Sequence, residues 1–169
     1  LRSQSLTKTD FNAPEQVLES LNHAFPGEDN NDMFFTIWYG IYNRKTSELT
    51  YASGGHPPAL LVDRTPGSDS MITALRTPNN VIGGVAESVY QKKECKIVGL
   101  KNLYIFSDGV YEVEKSDGTM WQFNEFTDFM NNINSDAQSR LDRLHQHAKN
   151  ISKQDNFEDD FTIVEVAFG

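Results

Sequence analysis

Between Met33 and Asp63 three strand-forming runs follow one another, "MFFTIWYGIYN", "LTYAS" and "ALLVD", separated only by "NRKTSE" and "GGHPP". The first two are rich in aromatic and β-branched residues, which pack well on a pleated surface. So short a link makes them a β-hairpin, and the apolar density of the first predicts a buried strand. Further runs, "MITAL", "VYQKKECKI", "LYIF" and the terminal "DDFTIVEVAFG", continue the sheet content. In the last of these, Phe161, Ile163, Val166 and Phe168 alternate loosely against other residues, the pattern of a final strand.

Helical periodicity appears in three places. In "TDFNAPEQVLESLNHAF" Asp10 or Asn12 can cap, Pro14 suits a first turn, and Val17, Leu18, Leu21, Ala24 and Phe25 share a face before Pro26-Gly27 stops the helix. Later, Phe123, Phe126, Phe129, Met130 and Ile133 line one side, and Ala137, Leu141, Leu144, Ala148 and Ile151 repeat at steps of four and three. Both stripes read as core. A helix, several antiparallel strands, two helices and a final strand fit a layered α+β domain better than repeating βαβ units.

A chain of 169 residues with 38% hydrophobic content is long and apolar enough for one globular domain, taken as 1–169. No run reaches the ~18 apolar residues of a membrane span, and "LRSQSLTKTD" lacks the apolar centre of a secretory signal, so the reading is soluble, without a membrane partner. Cys95 is the single cysteine, which suits a reducing compartment; the cytoplasm is expected. A net charge of −9 would repel a polyanion, so no nucleic-acid partner is expected, and Lys92 and Lys93 are assigned to a solvent face or sheet edge.

The chemistry concentrates on acids. "LYIF" has the pattern of a strand covered on both faces, and Ser107-Asp108-Gly109 follows it, placing a carboxylate where the chain leaves the core beside a glycine that permits unusual geometry or close approach. Asp108 is therefore a candidate ligand, against the plainer reading of Asp-Gly as a turn. Asp159 and Asp160 precede the last strand. If these strands are antiparallel neighbours, the acids meet at one end of a sheet. Two such charges at about 4 Å, with an effective dielectric near 20, repel by roughly 4 kcal/mol, so they take up a proton or bind a cation. Oxygen ligands select magnesium or manganese. Solvated loop acids are the alternative.

Other polar groups read more plainly. His56 in "GGHPP" is a general acid or a loop hydrogen-bonding group. His145 and His147, two apart on a helix, do not face each other. "EDNNDM" lacks the glycine and distant glutamate of a calcium loop, and Asp117 reads as a turn. No phosphate loop, serine elbow or thiol partner for Cys95 is visible, which leaves a metal-activated water as the mechanism the residues permit.

Taken together, "DMFFTIWYGIYNRKTSELTYASGGHPPALLV", "VIGG", "LYIFSDGVYEVEKSDGTMW" and "EDDFTIVEVAF" resemble the bacterial serine phosphatases of the SpoIIE and RsbU type, within the metal-dependent protein phosphatases related to protein phosphatase 2C. The similarity runs from about Asn12 to Phe168. It implies a four-layer αββα sandwich with two Mn²⁺ or Mg²⁺ ions at one end. Asp108 resembles the family's strand-end aspartate, and Asp159 its final one, both on the same ion. Asp160 matches a supporting position, and a one-residue change of register would exchange the two acids. Gly55, His56 and Gly109 resemble active-site loop positions, with Ser53 and Gly54 where the family motif has asparagine and alanine.

The family's upstream Asp-x-x-Gly-His-Gly segment, whose aspartate bridges the metals, has no match here, and the sandwich's first strands and helix are missing from the resemblance. The chain therefore resembles the C-terminal two thirds of a phosphatase domain and is expected to bind metal weakly and turn over little alone. The resemblance implies in-line attack of water on a phosphoserine or phosphothreonine of a regulatory protein, such as an anti-sigma-factor antagonist, under an attached receiver or sensor domain. A pseudophosphatase or regulatory interaction module is the alternative.

Overall fold

The computed structural model describes residues 6, 9–27, 31, 33–65, 71–133, 139–153, 157 and 159–169. The elements run α1 (Pro14–Ala24), β1 (Ile37–Asn43), β2 (Glu48–Gly54), β3 (Ala59–Asp63), β4 (Ile72–Leu75), β5 (Lys93–Lys96), β6 (Lys101–Phe106), α2 (Phe123–Asn132), α3 (Arg140–Ile151) and β7 (Ile163–Phe168). They form two compact units, Leu1–Ala59 with Ala74–Val98 and Leu60–Thr73 with Gly99–Gly169.

In the first unit the expected hairpin forms: β1 pairs antiparallel with β2 from Ile37↔Gly54 to Asn43↔Glu48, and β5 adds to the other side of β2. β2 is central and largely buried. β1 is not the buried strand expected. It lies at the sheet edge, begins only at Ile37, and has no fully buried residue, while Met33 and Phe34 before it are 63% and 65% exposed. Aromatic density fixed its type, but a single strand neighbour limits its cover.

Pro14 starts α1 as expected, and Val17, Leu18 and Leu21 are buried. Two expectations fail. Ala13 is the N-cap and no side chain caps it; the Asp10 carboxylate instead accepts from the backbone and side-chain amides of Asn12, a local loop that spends the capping oxygen. Phe25 lies beyond the last helical residue, outside the apolar face, and is partly exposed, edge-on to Phe35.

In the second unit β6 pairs antiparallel with both β3 and β7, within a sheet ordered β4-β3-β6-β7. Asn102, Leu103, Tyr104 and Phe106 of β6 are buried, matching the pattern of a covered strand. Phe126 and Met130 of α2 and Leu144 and Ala148 of α3 are fully buried in the same core as Tyr104 and Phe106. Burying each larger apolar side chain contributes about 1.5–3 kcal/mol, which is what holds both helices in place. Ala137, Pro66, Gly67 and most of "EDNNDM" lie outside the described residues. In β7 Val166 is 38% exposed, whereas Ile163 and Glu165 are half-buried; the period-two alternation from Ile163 puts a glutamate, not Val166, on the side facing Tyr104.

Candidate functional site

The acids meet through the β6–β7 ladder. Its register ends at Phe106↔Ile163, so residues 107–110 and 159–162 occupy the same end of the sheet. Ser107 closes that end. Its backbone N–H donates to the Thr162 carbonyl at 2.9 Å, its hydroxyl oxygen accepts from the Thr162 N–H at 3.1 Å, and its hydroxyl donates to the Asp160 carbonyl. Sequence reasoning passed over Ser107, because a serine at a strand end looks like any loop residue until its partner 53 positions away is known.

Asp108 opens a 3-10 turn, Asp108–Val110, and is exposed. The chain does not leave the core here as expected: Gly109 and Val110 are buried, so the turn folds inward directly beneath the carboxylate. Of the two uses foreseen for the glycine, close approach is the one realised. A methyl group on Gly109 would lie 2.8 Å from the Asp160 carbonyl oxygen and 3.2 Å from the Asp159 β-carbon. Gly109 is not among the glycines of positive φ. Lack of a side chain at 109 thus sets the backbone of Asp108 against that of Asp159 and Asp160.

Asp159 and Asp160 are also exposed. Asp159 Oδ1 accepts from the Asp160 N–H at 2.7 Å, and Asp108 Oδ1 from the Gly109 N–H at 3.2 Å, so each retains a second oxygen. Exposed carboxylates on a shared rim suit a hard divalent cation chemically. Among the described residues, however, no group of three or more histidine, cysteine, aspartate or glutamate side chains comes together to hold a metal. The acids fit as part of a ligand set.

Gly55 and His56 belong to the first unit. Gly55 adopts φ +68°, a left-handed conformation that disfavours any side chain, and a methyl there would meet Val81 Cγ1 at 2.3 Å. His56 is half-buried, and its Nδ1 lies 2.9 Å from the Pro57 carbonyl. A carbonyl only accepts, so Nδ1 carries the proton and Nε2 keeps the lone pair in the neutral ring. Of the remaining polar groups, His147 stacks on Phe129 while His145 packs edge-on to Phe157 and Phe161, so they do not pair. Asp117 turns the chain by accepting from the Thr119 N–H. Lys92 pairs with Glu15 and Glu94 at the surface.

The family model described as Stage II sporulation protein E (SpoIIE) matches residues 1–169. The chain belongs to the SpoIIE family. Within this family setting it is 28% identical over 166 residues to phosphoserine phosphatase RsbU of Bacillus subtilis (strain 168), a match covering 95% of this chain and 46% of RsbU. The chain therefore spans about half the length of that curated relative. In fold it is similar to the SiaA-PP2C domain of Pseudomonas aeruginosa, with a TM-score of 0.79 at 14% identity over 99% of this chain and 65% of that one. It is also similar to the phosphatase domain of the cell fate determinant SpoIIE from Bacillus subtilis, Mn presoaked, with a TM-score of 0.56 at 19% identity over 78% of this chain and 55% of that one. The chain thus shares the mixed fold of PP2C phosphatase domains, with two antiparallel sheets and three helices among its described residues. This agrees with the family and fold class expected from its motifs. No described helix is long and apolar enough to cross a membrane.

Proposed function

We propose that this chain forms part of a metal-dependent protein serine/threonine phosphatase, one domain over 1–169, and that Asp108 and Asp159 are ligands of a divalent cation there. The observation that carries this reading is the meeting of two acidic segments at one end of the β6–β7 ladder, pressed together by Gly109 and Ser107. Carboxylate oxygens fit Mn²⁺ or Mg²⁺, with two ions in the complete site. When bound, the ions would supply an activated water and neutralise charge on the transferring phosphoryl group. The protein's own part is placement: β6 and β7 fix the two acids, and Asp160, whose carbonyl is held by Ser107, supports Asp159. Family membership supports assigning Gly55, His56 and Gly109 to active-site loops.

A phosphorylated regulatory protein, such as an anti-sigma-factor antagonist, is the proposed substrate, with a receiver or sensor domain as input and the cytoplasm as location. The similarity to RsbU, a phosphoserine phosphatase, supports a phosphoserine substrate. A second reading, a non-catalytic interaction module, draws on the lack of a three-ligand cluster among the described residues. Manganese-dependent hydrolysis of p-nitrophenyl phosphate, compared between this chain and the full-length protein that carries it, separates them. The phosphatase reading expects strong turnover from the full-length protein and little from the chain alone. An inert full-length protein would favour the module.

A further inference from the structure

We infer that Thr77 and Asn79 are positioning residues for the Gly55–His56 turn, a role that rests on the turn serving the phosphatase site. The need for them arises where β5 stops. The β2–β5 ladder reaches Tyr51↔Lys93, and two residues further along β2 the buried Ser53 still has a backbone N–H and carbonyl to satisfy on that side. One hydroxyl takes both: the Ser53 N–H donates to Thr77 Oγ1 at 2.8 Å, and Thr77 Oγ1 donates to the Ser53 carbonyl at 3.1 Å.

A hydroxyl has one proton and two lone pairs. The proton goes to the Ser53 carbonyl, one lone pair takes the Ser53 N–H, and the other takes the Asn79 side-chain amide at 3.0 Å. The Ser53 hydroxyl lies a further 3.3 Å from Thr77 Oγ1, so a polar side chain only 4% exposed is held here without an open bond. Asn79 is fixed in turn, donating to the Gln91 carbonyl at 2.9 Å and accepting from the Gln91 N–H at 2.8 Å. Asn79 also bridges Gly54 through the backbone.

The turn is seated on the same segment. A methyl on Gly54 would approach the Asn80 carbonyl at 3.2 Å, and one on Gly55 would collide with Val81. Residues 77–82 therefore form a bed that sets the direction in which Gly55 and His56 emerge from β2. A valine at 77 keeps the shape of threonine but offers Ser53 nothing. A serine keeps the hydroxyl.

The test compares Thr77→Val and Thr77→Ser in the full-length protein, by kcat and KM for p-nitrophenyl phosphate with manganese and by amide hydrogen exchange of residues 53–56. We expect Thr77→Val to lower kcat about tenfold per folded molecule with KM within about twofold, and Thr77→Ser to restore it, as removal of a placement made in the transition state predicts. Exchange at residues 53–56 should quicken in the valine variant alone. Unchanged exchange there, or a serine variant as impaired as the valine one, overturns the inference. If the wild-type protein has no phosphatase activity, that reading fails by itself, and quickened exchange in Thr77→Val still supports the seating of the turn.

Discussion

Gly109 has no room for a side chain, because the space a methyl would fill is occupied by backbone and not by a movable side-chain tip. Gly109→Ala should therefore destabilise the protein by about 1–3 kcal/mol, as overpacking does, seen as a lower denaturation midpoint. A midpoint equal to wild type would mean that the start of β7 yields freely. Asp108→Ala should behave oppositely. Its side chain is exposed, so stability should stay within about 0.5 kcal/mol, while phosphatase activity of the full-length protein is lost. Unchanged turnover would remove Asp108 from the site. Asp160→Asn should retain at least about tenfold more activity than Asp159→Asn, a difference worth ~1.4 kcal/mol in the barrier. Asp108, Asp159 and Asp160 were legible because acids flanking two strand patterns are rare enough to notice. Ser107 and Thr77 were not, since each acts through partners 24 to 55 positions away.

Among the elements, type was easier to read than exposure. Every strand named from its composition is present, yet β1 proved an edge strand and Val166 faces outward, because cover depends on neighbours that local pattern does not specify. The helix stripes were more faithful, since a 3.6-residue repeat defines which face packs. α2 and α3 also carry a pH-sensitive contact. The His147 ring lies 4.1 Å from that of Phe129 and 5.2 Å from that of Trp121, and burial pushes its pKa below the ordinary 6.5. The fold thus favours neutral imidazole, so its contribution is complete above 6.5 and shrinks as pH falls below that value. Thermal midpoints measured from pH 7 to pH 5 should fall less steeply for His147→Phe, which keeps a ring in the stack. Parallel slopes would exclude His147 as the cause.

Across the described residues of the molecule the shifted groups divide unevenly. Asp63, held low chiefly by the Lys101 ammonium, Asp117, held low by the Thr119 hydroxyl, and Glu125, held low by the Gln122 N–H, all belong to the second unit. Their contribution is present above the ordinary carboxylate values of 3.8 and 4.5 and disappears as pH drops through the lowered folded values. In the first unit, burial raises Tyr51, Tyr90 and the Cys95 thiol, whose neutral forms favour the fold below their ordinary values and cease to help as pH climbs past 9 to 10. Burial pushes Tyr104 of the second unit up to about 12 in the same sense. Hydrogen exchange followed from pH 4 down to pH 2 should therefore show amides of β6, α2 and α3 losing protection before those of β1 and β2. Simultaneous loss would contradict this division.

The boundaries of the two units also bear on how the protein could be divided for engineering. The chain changes unit after Ala59, after Thr73 and after Val98, and the strand beside β6 is drawn from the middle passage. A single scission at Val98 would strip the later fragment of Leu60–Asp63, so in a split reporter built on this scaffold the earlier fragment would have to lend β3 back to β6.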